Sequence, residues 1–527
     1  MDAFVVLIVF GFPIALLAVW AIRRGQRKDD KARREAKKKE YEEREGGRDR
    51  KHLLQEIQAY FPPLASRVKQ LTKSGMDSAE ALFKVIEETP GVLVGEVWGV
   101  PALLPQEERQ KHLYVVGKTG TGKTSLLLHL IRDDLESGHG VGVIAPEAEL
   151  FRDWLLPMIP ASREEDVIYF APGNPKNPLT FNPLAVEEEH DRGRAAEELF
   201  SIFKRAVGEA EFGARMTPLL GNAFACLTGR PGATLWDVKR MLEDASFRKE
   251  VLKTVPDDYL RDFWETTFPQ YPKGSHIPIV NRLDQFLRPL QVRQALCQPT
   301  SSFSIRRALD EGQVLLFDLS GLAPDSMLLL GQMLLSKFQL ELMRREVLTQ
   351  EERAPYYLYA DEFQTFAGVA EGTWRELLSR GRRYGLALTL AHQYPSQLPE
   401  GLRDEIFGNV ASLIAFGMSA KDSQVLRKEL LAYPYLPVDA RPVSLEALVT
   451  LRTGQAVARF GGGGYAVRLE TTEPLELPPA WRGERVRATS WGRFGVSPLP
   501  GPGGSQNTHS TSGRLKQPMT KRHDFLE

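Results

Sequence analysis

The residues with the clearest chemical potential form a glycine-rich segment that ends in lysine and threonine. It reads GKTGTGKT over residues 117–124, fits GxxxxGK[ST] in full, and stands between a predicted strand and a predicted helix, which disfavours a chance match. In such a loop the backbone N–H groups face nucleotide phosphates, the lysine reaches the β- and γ-phosphate oxygens, and the threonine hydroxyl binds Mg²⁺. This P-loop therefore predicts ATP and Mg²⁺ as ligands, with Lys123 catalytic and Thr124 a metal ligand. The predicted nucleotide-contacting residues are Gly117, Lys118, Thr119, Gly120, Thr121, Gly122, Lys123, Thr124 and Ser125.

An apolar strand followed by two adjacent acids supplies a second element that ATP hydrolysis needs. Residues 356–360 are apolar and are followed by Asp361 and Glu362. An acid at the end of a strand near the P-loop can hold Mg²⁺, and a second acid can orient the attacking water. We predict the metal-binding role for Asp361 and the water-orienting role for Glu362. The alternative is a solvated strand end, which the presence of a complete P-loop disfavours.

Polar and basic residues flank the next strand, LALTLA at residues 386–391. Gln393 follows this strand, where an amide can reach the γ-phosphate, and it is the predicted sensor of hydrolysis. His392 is interpreted as a structural neighbour, because nothing nearby completes a ligand set. One arginine of SRGRRYG, residues 379–385, is predicted to be an arginine finger, since the charge on a transferred phosphoryl group needs a further cation. The alternative is a basic cluster that complements a helix dipole.

Alternating apolar strands and helices must position these side chains. Such alternation implies a parallel sheet covered on both faces, and together with the P-loop it predicts an α/β P-loop NTPase fold. The segment from about 187 to 300 shows helical periodicity without strand alternation, which predicts an inserted all-α domain. The predicted strands are LYVVG, VGVIA, DVIYFAP, VLLFDL, YYLYAD, LALTLA, SLIAFG, and the hairpin pair QAVARF and YAVRLE.

These patterns divide the chain into consecutive regions. The motor is predicted in two parts, 99–186 and 301–480, the second of which includes the C-terminal hairpin. The other predicted regions are a transmembrane anchor (1–22), a charged stalk (23–51), a region of helices and short strands (52–98), the all-α domain (187–300) and a disordered tail (481–527).

The amino terminus predicts attachment to a membrane. Residues 3–22 are uncharged, and about 20 such residues form about 30 Å of helix, the thickness of a bilayer core. Basic residues follow this segment, which favours a single pass through the inner (plasma) membrane with the bulk of the chain in the cytoplasm. The alternative is a cleaved signal peptide, but its basic region would precede the apolar run.

The overall composition is that of an ordinary soluble protein. There are 68 basic and 68 acidic residues, so net charge argues neither for nor against a nucleic-acid partner. The two cysteines, Cys226 and Cys297, have no metal-ligand spacing and exclude a disulfide scaffold.

Together these motifs resemble the type IV coupling proteins of bacterial conjugation and the wider HerA/FtsK class of DNA pumps. The resemblance spans about residues 93–429 and includes EERQKHLYVVG, FGARMTPLLGNAFACL, YLYADEFQTFAG, SRGRRYGLALTLAHQYPSQL and GNVASLIAFGMSAKDS. It implies a RecA-like motor fold and a membrane-anchored hexameric ring that threads DNA through a central channel. By resemblance, Arg382 is the finger that completes a neighbouring subunit's site, and the other family roles fall on Lys123, Thr124, Asp361, Glu362 and Gln393.

Two departures from the family pattern have consequences for function. The family often has an acid before proline after the second motor strand, whereas this chain has Ala145 before Pro146, so the role of that acid is open here. Coupling proteins also have two spans around a small external domain, but only one span is predicted here. The single predicted span, with no room for an external domain, is similar to the DNA donor translocases of transjugation, a conjugation-like DNA transfer that is independent of a pilus.

The leading hypothesis is an ATP-driven, sequence-independent DNA translocase that prefers duplex DNA and works with DNA-transfer machinery. One alternative is a HerA-like helicase of DNA end processing, which the membrane anchor disfavours. Another is a receptor that docks relaxases and hydrolyses ATP only as a switch. The sequence does not assign residues to a DNA channel, and Lys273 and His276 are interpreted as exposed loop residues.

Overall fold

A single large sheet organises the protein. The computed structural model describes residues 62–97, 100–207, 213, 215–367, 371–431, 445–461 and 465–496. The sheet has 11 strands in the order β2-β1-β11-β10-β9-β3-β8-β7-β4-β6-β5. The strands are β1 (Gly91–Val97), β2 (Val100–Pro105), β3 (Leu113–Val116), β4 (Gly140–Ala145), β5 (Val167–Phe170), β6 (Val314–Asp318), β7 (Tyr356–Ala360), β8 (Leu386–His392), β9 (Ser412–Phe416), β10 (Gln455–Arg459) and β11 (Val467–Thr471).

Helices fill the connections between these strands. Two π-helical turns, Leu150–Leu155 and Phe263–Thr267, and several 3₁₀ turns, among them Gly381–Tyr384, complete the described structure. The α-helices are α1 (Pro62–Lys73), α2 (Ser78–Glu88), α3 (Gln106–Arg109), α4 (Lys123–Glu136), α5 (Leu156–Met158), α6 (Arg192–Val207), α7 (Met216–Leu227), α8 (Leu235–Glu243), α9 (Ala245–Leu252), α10 (Asp258–Asp262), α11 (Ile277–Leu287), α12 (Leu290–Leu296), α13 (Ile305–Glu311), α14 (Pro324–Met343), α15 (Gln364–Ala367), α16 (Glu371–Arg380), α17 (Glu400–Asn409), α18 (Ala420–Leu431), α19 (Leu445–Thr450) and α20 (Ala480–Phe494).

The middle of the sheet is parallel, from β9 through β3, β8, β7, β4 and β6 to β5. Its strands are short apolar runs that are buried throughout, as expected when both faces are covered. Antiparallel pairing adds β10, β11, β1 and β2 on one side. The predicted α/β fold with a parallel-rich sheet is therefore confirmed, and β10 and β11 form the predicted C-terminal pair of strands.

The sheet separates two hydrophobic cores, because successive side chains of a strand point to opposite faces. Val115 and Tyr359 pack in one core with α1, α2 and α4. Tyr114 and Leu358 pack in the other, with the helices between Arg192 and Leu296 and with α14. The long connection from β5 to β6 is thus joined to the sheet through a continuous apolar core.

The strand register brings the predicted site residues to one edge of the sheet. Val116, the last residue of β3, pairs with His392 at the end of β8. Ala360, at the end of β7, pairs with Leu390 of β8 and Ile144 of β4. The segments that follow these strands therefore emerge side by side: the P-loop, the acid pair, Gln393 and the residues after β4.

The carboxyl-terminal region differs from its predicted disorder. Residues 480–494 form α20, which packs on the edge strand β5. The Ser490 hydroxyl accepts from the Tyr169 N–H at 2.9 Å, and the Trp491 indole N–H donates to the Tyr169 carbonyl at 3.1 Å. The prediction of disorder from residue 481 is wrong for this helix, because its buried face is made of small residues and carries little apolar signal. Residues 497–527 lie outside the described residues.

The predicted membrane anchor and stalk, residues 1–51, also lie outside the described residues. Within the described part of the chain, none of the helices combines the length and apolar character that crossing a bilayer requires.

A buried ion pair ties the P-loop helix to the acid-bearing strand. Arg109 donates to both carboxylate oxygens of Asp134 at 2.7 Å and to the Tyr359 hydroxyl at 2.6 Å. Asp134 lies in α4, which begins at Lys123, and Tyr359 lies in β7 just before the acid pair. Both charges are almost completely buried, with exposed side-chain fractions of 4% and 0%.

Breaking this pair from one side should be costly. Arg109→Met should lower the free energy of unfolding by about 3–5 kcal/mol, because the Asp134 carboxylate would remain buried without a compensating charge. The double variant Arg109→Met/Asp134→Leu should recover a large part of that loss. Urea unfolding of the single and double variants measures both effects, and fully additive losses would contradict the assignment.

Candidate active site

The P-loop has the backbone geometry of a phosphate cradle. Gly117 approaches β9 so closely that an added Cβ would lie 2.5 Å from the Phe416 Cβ. Gly122 has φ +119°, a conformation that favours glycine, and it precedes the first residue of α4. The glycines therefore let the loop curl onto the helix N-terminus, where N–H groups can face an anion.

The start of the loop is hydrogen-bonded to the strands on both sides of β3. The Gly117 N–H donates to the His392 carbonyl of β8 at 3.2 Å. The Lys118 N–H donates to the Gly417 carbonyl after β9 at 2.9 Å. Lys123, at the start of α4, is buried. The predicted phosphate-binding lysine thus begins the helix that directly follows a hydrogen-bonded loop.

The predicted metal acid, Asp361, is buried beside two other carboxylates. Burial, together with the negative charges of Glu362 and Glu147, raises the pKa of Asp361 to about 7, and the positive charge of Lys123 opposes this rise. A carboxylate in such surroundings is stabilised by an additional cation. The residues present therefore fit Mg²⁺, with Asp361 and the Thr124 hydroxyl as the groups that would hold it.

Glu362 is held in an uncommon backbone conformation by polar contacts. Its φ is +48°, in the left-handed region that few residues other than glycine adopt. Its N–H donates to Asp361 Oδ1 at 3.0 Å. Its two carboxylate oxygens accept from Gln393 Nε2 at 2.8 Å and from Gln364 Nε2 at 2.5 Å. The structure thus joins the predicted water-orienting acid directly to the predicted sensor.

Two residues beside this site, Gln364 and Glu147, are not among the site residues predicted from the sequence. Gln364 is the first residue of α15, shortly after the acid pair. The oxygen of its side-chain amide is buried without a hydrogen-bond partner among the described residues. Glu147 follows β4, and burial, then the charge of Glu362, raises its pKa, while Lys123 opposes them. The only sequence signal for Glu147 is its place two residues after Ala145, where the family pattern has its acid.

His392 has the environment of a neutral packing residue. It is fully buried, contacts the Tyr114 hydroxyl, and meets the Phe363 ring edge-on at a centroid distance of 4.8 Å. Burial lowers the pKa of His392 to about 3, and the Lys123 charge acts in the same direction. The imidazole is therefore uncharged at neutral pH and stands behind the P-loop.

Arg382 is not brought to the other predicted site residues. It lies in the 3₁₀ turn before β8, at the amino end of the sheet, whereas the P-loop is at the carboxyl end. Its charge contributes to the lowered pKa of His112, which precedes β3, after the larger effect of burial. Arg382 is exposed, and its side chain makes no hydrogen bond or ion pair with the described residues.

Comparison with solved structures identifies the fold. TrwB, a plasmid coupling protein, in complex with the non-hydrolysable GTP analogue GDPNP aligns with a TM-score of 0.55 and 20% identity, over 73% of this chain and 91% of TrwB. This chain has the TrwB fold. Unbound TrwBdeltaN70, a bacterial conjugative coupling protein, aligns with a TM-score of 0.53 and 19% identity, over 73% of this chain and 90% of that one.

A third TrwB structure, in complex with ADP and Mg²⁺, has a TM-score of 0.51 and 18% identity, with 73% of this chain and 89% of TrwB covered. No protein-family model and no curated protein matches the sequence. The predicted resemblance to coupling proteins is therefore confirmed at the level of the fold.

Proposed function

We propose that this protein is an Mg²⁺-dependent ATPase that drives DNA translocation in a conjugation-like transfer. The observation that carries the proposal is the convergence of Lys123, Asp361, Glu362 and Gln393 at one edge of a sheet with the TrwB fold. ATP and Mg²⁺ are the proposed ligands, and TrwB structures with GDPNP and with ADP and Mg²⁺ support them.

Each residue has a chemical role in this proposal. The P-loop N–H groups and the Lys123 ammonium bind the phosphates, and Lys123 also offsets the charges of the nearby acids. Thr124 and Asp361 would hold Mg²⁺, which supplies positive charge to the phosphate oxygens. Glu362 accepts a hydrogen bond from the attacking water and orients it toward the γ-phosphate.

Gln393 can sense hydrolysis by changing its partner. Its amide N–H₂ donates to Glu362 at 2.8 Å. An amide has two N–H donors, so it can also reach a γ-phosphate oxygen and lose that bond when phosphate leaves. The position of Glu362 would then depend on the state of the nucleotide through Gln393.

The separation of Arg382 from its own P-loop supports a proposal in which this arginine acts on an adjacent subunit. A guanidinium at the opposite end of the sheet cannot reach the phosphates of the same subunit, but it can complete the site of an adjacent one. We propose a hexamer, by resemblance to coupling proteins, with a single amino-terminal pass through the plasma membrane and a cytoplasmic motor. Fractionation of cells that express the chain with and without residues 1–22 tests the anchor, since the shortened chain should leave the membrane fraction.

DNA should stimulate ATP hydrolysis without sequence preference, with duplex at least as effective as single strands. A ring that contacts about six to ten phosphates would lose about 10³- to 10⁵-fold in DNA affinity between about 50 and 200 mM salt. Binding releases counterions from the DNA, and this release becomes less favourable as the salt concentration rises. ATPase titrations with blunt duplexes and matched single strands at several salt concentrations measure this effect. A rate that DNA leaves unchanged would favour a switch-like docking receptor.

A further inference from the structure

The tip of the P-loop accepts hydrogen bonds from a loop that is distant in sequence. Residues 451–454, which connect α19 to β10, form what we call the P-loop brace. The Thr453 hydroxyl donates to the Gly120 carbonyl at 3.1 Å, and the Gly454 N–H donates to the Thr121 carbonyl at 2.9 Å. The brace therefore satisfies two carbonyl groups at the tip of the P-loop, and its bonds use none of the N–H groups of that loop.

The brace is itself fixed to the sheet. The Thr471 N–H and hydroxyl both donate to the Gly454 carbonyl, at 2.8 and 2.9 Å. Gly454 has φ +81°, a left-handed conformation that an alanine would adopt only with strain. Thr472, just after β11, donates to the Val94 carbonyl of β1 at 3.2 Å. Hydrogen bonds thus run from the tip of the P-loop to the amino-terminal hairpin of β1 and β2.

We infer that Thr453 and Gly454 are positioning residues for nucleotide binding, a role that rests on the proposed ATPase function. A phosphate site built from backbone N–H groups is effective when those groups are held in place before the ligand arrives. The tip of the P-loop is glycine-rich and partly exposed, so it needs external hydrogen bonds to stay in that conformation. The brace supplies them from a segment that the sequence motifs do not include.

The test compares ATP affinity among full-length variants. Thr453→Ala should weaken ATP binding about fivefold, which corresponds to about 1 kcal/mol, the usual net value of one hydrogen bond, with kcat changed less than about twofold. Thr453→Ser keeps the hydroxyl and should bind ATP like the wild type. Thr450→Ala is the matched control, because the Thr450 hydroxyl donates to the Ala447 carbonyl within α19.

Gly454 offers a second pair of variants. Gly454→Ala should weaken ATP binding about tenfold through backbone strain, and Gly454→Asn should lose less, since asparagine tolerates a left-handed conformation better. Thermal unfolding establishes that each variant is folded. Equal ATP affinities for Thr453→Ala and Thr450→Ala would overturn the inference, whereas a wild-type protein that binds no ATP would overturn the proposed function together with it.

Discussion

Glu362→Gln should stop ATP hydrolysis while ATP stays bound, whereas Lys123→Ala should lose both. A glutamine keeps the size of Glu362 but cannot accept a proton from water, and general bases contribute about 10²- to 10⁴-fold in rate. The site can accommodate the amide. The side-chain amide oxygen of Gln364 is buried and has no hydrogen-bond partner among the described residues. The Gln364 amide can therefore rotate so that this oxygen accepts from the new N–H group.

Lys123→Ala should have a different effect because of the charges around it. Lys123 is buried, and its charge acts on Asp361 and Glu147, both of which also feel the charge of Glu362. Removing the ammonium leaves three acids facing an anionic nucleotide. ATP affinity should therefore fall together with the rate.

Two measurements separate these variants: the ATPase rate and the equilibrium binding of ATP. Glu400→Gln is a matched control for the acid substitution, because Glu400 is exposed at the start of α17 and pairs only loosely with Arg403, at 3.6 Å. It should behave like the wild type. If Glu362→Gln loses ATP as completely as Lys123→Ala, Glu362 has a structural role and the proposed water-orienting role is wrong.

Much of the fold could be predicted because the central strands are buried on both faces. Strands such as β4 and β5 are unbroken apolar runs between polar connections, and that pattern is readable without tertiary information. The sequence predicts short strands within residues 52–98, but it does not give the bounds of β1 or predict β2. Glycine, a charged residue and two prolines interrupt the run from 91 to 105, and such residues are tolerated near a sheet edge.

The residues of the candidate site also fall into two groups, those in local sequence motifs and those that only the fold brings to the site. Residues in local motifs, such as Lys123 and Asp361, could be assigned from the sequence because their chemistry depends on neighbours along the chain. Gln364, Glu147 and Thr453 could not, since their contacts with the site depend on which strands are adjacent in the sheet. A glutamine, an acid two residues after a strand and a loop threonine are ordinary residues until the fold places them beside a P-loop.

The other large effect should come from Arg382, which we propose acts across a subunit boundary. His112 and Gly117 lie at opposite ends of β3, about 16 Å apart at 3.3 Å per residue, and Arg382 lies on the His112 side. It cannot serve its own P-loop from there. Arg382→Ala should therefore lower the ATPase rate by about 10³- to 10⁵-fold, the contribution of arginine fingers, without loss of ATP binding.

The neighbouring arginines provide matched controls within the same turn. Arg380 pairs with Glu376 at 3.3 Å, and Arg383 lies 3.8 Å from Glu346 and over the Tyr384 ring. Both have partners within their own subunit, whereas the exposed Arg382 side chain has no hydrogen bond or ion pair with the described residues. Arg380→Ala and Arg383→Ala should retain most of the ATPase rate, so a loss confined to Arg382→Ala would separate a specific role from a general need for basic charge.

Mixing two inactive variants tests the geometry directly. Arg382→Ala subunits keep their P-loop, and Lys123→Ala subunits keep their finger, so a mixed ring contains some sites in which an intact P-loop meets an intact arginine. Titration of one variant into the other should therefore restore part of the ATPase rate at intermediate ratios, after subunit exchange has been established by pull-down of differently tagged chains. Neither variant alone can do so, because each of its sites lacks one of the two cations. A rate that stays at the background of the separate variants at every ratio would mean that Arg382 does not complete a neighbour's site.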